Sequence, residues 1–164
     1  MRAALFLALL FGTARAALAF DANGVALGAA ERDIKDVFPS AHCQPLEWKS
    51  AAADRRCDDA RISFADVRAR ITFYLKGDAV QAFDVRFSPD DRERVVRFLK
   101  SRYGAPLSER TETFSREGKP ERQVYKLRWE SGHDKALLSV QLDRRHAQLE
   151  VWRGDFDQEI YKLR

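Results

Sequence analysis

Apolar and polar residues alternate through most of this chain, and one long stretch breaks the alternation with a helical period. Between residues 68 and 76, Ala69, Ile71, Phe73 and Leu75 fall on one side, and Arg68, Arg70, Thr72 and Tyr74 on the other. A period of two sends successive side chains to opposite faces of a strand. The same pattern predicts strands at 42–49, 55–64, 79–87, 107–116, 121–130, 135–142 and 146–152.

The exception runs from Ser88 to Pro106. Val95, Phe98, Leu99 and Tyr103 recur at helical spacing. Ser88 can cap the first turn and Pro89 suits the first helical position. Asp90, Asp91 and Glu93 sit at the positive end of the helix dipole, Lys100 and Arg102 at the negative end. Gly104 and Pro106 stop the helix. A shorter helix is predicted over 29–38, with Ala30, Ile34, Val37 and Phe38 on one face and Pro39 ending it.

Register follows from keeping apolar sets on one face. A hairpin centred on residue 50 puts Cys43 directly opposite Cys57, and puts Leu46 and Trp48 on one face with Ala60, Ile62 and Phe64. The cysteines then lie on the other face. A two-residue turn at Gly77-Asp78 would set Ile71 and Phe73 against the wrong side of the next strand. A three-residue turn through Ala79 instead pairs Phe73 with Phe83 and Ile71 with Val85, because a slip of one residue flips every side chain. It also pairs Arg70 with Arg86. Further on, four-residue turns unite Tyr125, Leu127 and Trp129 with Ala136, Leu138, Val140 and Leu142, and with Ala147, Leu149 and Val151.

The predicted order is helix and four strands, twice. Sliding the chain by 61 residues puts Ile34 on Val95, Val37 on Phe98, Phe38 on Leu99 and Pro45 on Pro106. The expected fold class is α+β: a tandem repeat of a helix plus four antiparallel strands, with the helices packed on one face of the sheet. The units would span 20–88 and 89–154, with 155–164 as a C-terminal tail carrying Phe156, Ile160 and Leu163. This order resembles the tandem-repeat fold of beta-lactamase inhibitory protein. The opening Gly24-Val-Ala-Leu-Gly28, followed by a helix and a proline, resembles the start of small outer-membrane-assembly lipoproteins of the SmpA/OmlA type. The resemblance implies binding to another envelope protein rather than catalysis.

Residues 1–19 read as a secretory signal peptide. A short basic start precedes the apolar run Ala3–Phe11, and Ala17-Leu-Ala19 has small residues at the cleavage positions. The apolar run is too short to cross a bilayer, so no stable membrane anchor is expected. Cleavage after Ala19 would remove Arg2 and Arg15 and no acid, so the formal charge of +4 falls by two to +2. That balance gives little reason to expect a nucleic-acid partner. Two cysteines in an exported chain suggest one disulfide, Cys43–Cys57, placing the protein in the periplasm or outside the cell. A metal site using His42, Cys43 and Cys57 would lack a fourth ligand at a usual spacing.

Candidate chemistry is sparse. His42, His133 and His146 sit in or beside predicted turns and strand ends, and Ser63, Ser101 and Ser139 lie in no nucleophile-elbow context. The adjacent pairs Asp58-Asp59 and Asp90-Asp91 make no acid/base dyad. No glycine loop cradles a phosphate, no cofactor is expected, and the chain is read as a non-enzyme. The faces turned away from the core are more informative. They carry Arg68, Arg70, Tyr74, Arg86, Arg128, Leu137 and Trp152, the candidate binding face. Arginine and aromatic residues on an open sheet are typical interface anchors. Leu137 and Trp152 have a second reading, as residues covered by the tail through Phe156 and Ile160. The leading expectation is therefore a periplasmic or secreted binding protein. It would engage another protein, or an anionic envelope component, through a sheet face. The alternative is a periplasmic hydrolase with a site between the two halves.

Overall fold

The computed structural model describes residues 19–116, 118–141, 143 and 146–160. The expected signal peptide lies outside them, apart from Ala19, as do Glu117 between two predicted strands, Leu142, and Leu163 of the expected tail. Two short strands, β1 (Asp21–Ala22) and β2 (Val25–Ala26), lead into helix α1 (Glu31–Val37). Strands β3 (His42–Pro45), β4 (Arg55–Phe64), β5 (Val67–Lys76) and β6 (Ala79–Phe87) follow. A 3-10 turn over Pro89–Asp91 opens α2 (Arg92–Tyr103). Then come β7 (Ser108–Arg116), β8 (Lys119–Ser131), β9 (Asp134–Gln141), β10 (His146–Arg153) and the single-turn α3 (Phe156–Glu159).

Strands β3 to β10 form one antiparallel sheet of eight in the order β3-β4-β5-β6-β10-β9-β8-β7. The expectation of a tandem repeat of helix-plus-four-strand units, with helices packed on one face, is corrected by this sheet. Strand accounts for 54% of the described residues and helix for 19%, so the sheet carries the fold. The last strand of each expected unit would have left a row of unpaired backbone groups at an open edge. Instead β6 and β10 pair along Ala82–Phe87 and Ala147–Trp152, and the strands become continuous. Seven gaps of about 4.8 Å make that sheet roughly 34 Å wide. The seven residues of α1 and twelve of α2 reach only about 10 and 18 Å.

One sheet face and the helices supply the core. Phe64, Phe73, Phe83, Ile71, Leu127, Leu138 and Leu149 are fully buried, as are Ile34 of α1 and Val95 and Leu99 of α2. Phe38 packs on Phe73 (5.5 Å between ring centres), Phe98 on Phe64 (5.2 Å) and Tyr103 on Trp129 (5.9 Å). Ser88 caps as its position suggested: its Oγ accepts from the Asp90 N–H at 3.3 Å. Val37, expected on the inner face of the first helix, is exposed instead. The amino-terminal lead-in is tied down by α2. Arg102 grips Asp21 through Nε and a terminal nitrogen at 2.8 and 2.9 Å, and the Tyr103 hydroxyl donates to the Asp21 carbonyl at 2.7 Å.

Two expected registers hold, each with a displaced irregularity. Phe73 pairs with Phe83, Ile71 with Val85 and Arg70 with Arg86. The turn, however, has two residues, Gly77 and Asp78, both at positive φ (54° and 66°), the conformation of a tight type I′ hairpin turn. The odd residue is absorbed in the strands, where pairing jumps from Tyr74–Ala82 to Leu75–Val80. Cys43 faces Cys57 and the two are bonded. They do not occupy the face opposite Ile62 and Phe64. A bulge between Asp59 and Ile62 shifts the phase of β4, so Cys57 and Phe64 are both buried in the core. The third strand also ends at Pro45, which leaves Trp48 in a loop, its indole N–H donating to the Ile160 carbonyl at 3.3 Å.

Candidate functional site

The other face of the sheet is organised in rows that cross the strands. One row runs Arg56, Tyr74, Ala82, Trp152, Lys135, Glu130. The next runs Asp58, Thr72, Asp84, Glu150, Leu137, Arg128. A third runs Arg70, Arg86, Gln148, Ser139, Lys126, Arg110. Rows lie two residues apart along each strand, about 7 Å. Antiparallel pairing thus brings Tyr74 and Trp152 into one row, Asp58, Asp84 and Glu150 into the next, and four cations into the third.

The seven residues singled out in the sequence share this face. Arg68, Arg70 and Tyr74 come from β5, Arg86 from β6, Arg128 from β8, Leu137 from β9 and Trp152 from β10. Arg68, Arg70 and Arg86 line an open hollow with Ser88. Tyr74, Arg86, Leu137 and Trp152 line a different cleft, and Arg128 stands apart, paired with Glu130. The like-charged pair Arg70–Arg86 is only half relieved. Arg86 Nε meets Asp84 Oδ1 at 3.2 Å, whereas Arg68 and Arg70 make no hydrogen bond or ion pair to a described residue.

The cleft lies between the sheet and the C-terminal turn. Phe156 packs on Tyr74 with 5.5 Å between ring centres, and Ile160 is buried. The tail therefore folds over this face, leaving a space of about 80 Å³ against half-buried Leu137 and Trp152. Two acids at its floor, Asp84 and Glu150, are direct cross-strand neighbours on β6 and β10. Asp84 is 8% exposed. Burial holds its carboxyl above the ordinary range; Arg86 and Arg70 oppose that, and Asp58 adds to it. Glu150 is also pushed up, by burial first and then by Asp84 and Asp157, with Arg86 opposing. Asp58, in the same row, is satisfied differently: it accepts from Thr72 Oγ1 at 2.8 Å and pairs with Arg56 Nε at 3.1 Å.

Asp84, Glu150 and Asp157 were not among the residues picked out in the sequence. Period two does place Asp84 and Glu150 on the outer face, but only the β6–β10 pairing makes them neighbours. None of the three histidines lines the cleft; His146 contacts Gln148 at 3.1 Å. Glu31 approaches Cys43 and Cys57, but both sulfurs are committed to the disulfide, so this group is no metal site.

No protein-family model matches the chain, and no curated protein matches it in sequence. Among solved structures it is similar to the crystal structure of a DUF4309 family protein, YjgB, from Bacillus subtilis. Identity is 10%, over 76% of this chain and 78% of that one, with a TM-score of 0.38. A likeness that distant assigns neither fold nor function. No described helix is long and apolar enough to cross a membrane.

Proposed function

We propose that this chain is an exported binding protein that engages a partner protein of the cell envelope through the outer face of its sheet. The disulfide fits an oxidising compartment. The observation that carries the reading is the arginine group at the β5–β6 pair. Arg70 lies directly opposite Arg86, Arg68 is next on the same side of β5, and all three are exposed. Like charges directly opposed across strands are destabilising. Arg70 has only the longer-range attraction of Asp84, which is already paired with Arg86, and Arg68 makes no ion pair to a described residue, so both lack an acid of their own. An acidic segment of a partner would supply it, through the forked donor geometry that suits arginine to carboxylates.

The test uses photo-crosslinking residues at positions 70 and 86 in intact cells, followed by reconstitution of the purified pair. Arg68→Glu with Arg70→Glu should weaken the reconstituted complex by at least about tenfold, and salt should weaken the parent complex. A crosslinked partner whose affinity ignores both charge reversal and salt would refute the reading.

A further inference from the structure

The cleft under the C-terminal turn has a chemistry of its own, although Arg86 borders both it and the arginine group. The sheet side sets Trp152 and Leu137 beside the acids Asp84 and Glu150, and Phe156 of the C-terminal turn lines the other side. Among the described residues that line it, acids exceed cations by two: Asp84, Glu150 and Asp157 against Arg86. Arg86 is engaged by Asp84. Glu150 has no hydrogen bond or ion pair with a described residue, although a second carboxylate lies directly across the strand pair.

We propose that this cleft binds a primary alkylammonium group, with its stem against Trp152 and Phe156 and its charged head at Glu150. Each feature selects for that chemistry. The excess of acid repels carboxylates and phosphates. A hard metal ion needs several converging free oxygens, and Asp84 is already engaged by Arg86. A neutral hydrocarbon would leave Glu150 unpaired. An alkylammonium satisfies both halves at once: three N–H donors for the acids, and a cation and methylenes for the aromatic faces. It also relieves the mutual repulsion that helps hold the Glu150 carboxyl above its ordinary range. The space of about 80 Å³ is smaller than the cavity of about 150 Å³ that takes benzene, so it admits a side-chain end and excludes a sugar or nucleotide. A lysine side chain of a peptide and a free polyamine both carry this group.

The test is an NMR titration of the full chain, following the Trp152 indole N–H, assigned with Trp152→Phe. The probes are n-butylammonium, n-butanol, butyrate and calcium. Butylammonium should give saturable shifts with a Kd on the order of millimolar, as expected for a ligand of five heavy atoms. Glu150→Gln and Phe156→Ala should each weaken it by about tenfold or more, and Arg68→Ala should leave it unchanged. Blocked lysine and spermidine separate the two sources: saturation by either supports the assignment and names the source. The proposal is overturned by any of three results: no saturation by ammonium probes, butanol, butyrate or calcium binding as well as butylammonium, or full affinity retained in both Glu150→Gln and Phe156→Ala.

Discussion

Opening the Cys43–Cys57 bridge tests how this sheet holds its short outer strand. β3 has four residues and pairs on one side only, from His42–Asp58 to Pro45–Arg55. Four pairs on an edge strand give little intrinsic stability, so the covalent link carries much of the load. The cysteines are 14 residues apart. A closed loop of about 15 residues removes roughly 3 kcal/mol of entropy-derived stability from the unfolded chain's advantage, in the chain-entropy account. Unfolding entropy near 2.1 cal/mol/K per residue gives roughly 0.3 kcal/mol/K for roughly 140 residues, so reduction should lower Tm by about 10 °C. Scanning calorimetry with and without reductant measures this, because reduction leaves both sulfurs in place and isolates the cross-link. The Cys43→Ala, Cys57→Ala protein should melt at or below the reduced parent, since Cys57 is fully buried and its sulfur fills core space. It should not respond to reductant. Hydrogen exchange should show β3 opening first. A reduced parent melting within about 3 °C of the oxidised one would refute the argument, and so would a double variant equally sensitive to reductant.

Two further outcomes follow from particular contacts. Tyr103→Phe removes a buried hydroxyl that donates to the Asp21 carbonyl, so it should cost about 1–3 kcal/mol, read as a lower urea midpoint at unchanged m-value. Glu150→Gln should raise Tm at pH 7 and change it little near pH 4. The folded carboxyl binds its proton more tightly than the unfolded one, so the parent loses stability as pH rises from the ordinary glutamate range through the raised folded value. A glutamine has no such proton to lose, and Tm measured from pH 4 to 8 should diverge between the two proteins in that direction.

Much of the secondary structure was legible because period two and period 3.6 are local signals. Eight strand positions, the capped helix after Ser88, the Cys43–Cys57 pairing and the Phe73–Phe83 register all follow from which side chains must share a face. Where the odd residue goes did not follow. The chain places it as a jump at Gln81 and a bulge after Asp59, and the second of these moves the cystine into the core. The turn at Ala65-Asp66 carries no glycine, yet both residues sit at positive φ (53° and 59°), because the long strands on either side impose a tight hairpin.

The sequence alone determined that the strands have one apolar face, since alternation is a property of the chain itself, although in β4 the bulge after Asp59 decided which residues share it. The tertiary structure alone decided which strands are neighbours across the joint. A face pattern says what a strand must bury and nothing about which edge it will meet. The antiparallel pairing of β6 with β10 closed that edge and fused the strands into one sheet. The same pairing brought Asp84 beside Glu150, and the tail carrying Phe156 and Ile160 then folded over them. The candidate cleft is thus built from residues 66 positions apart along the chain, held together by backbone hydrogen bonds that no local periodicity announces.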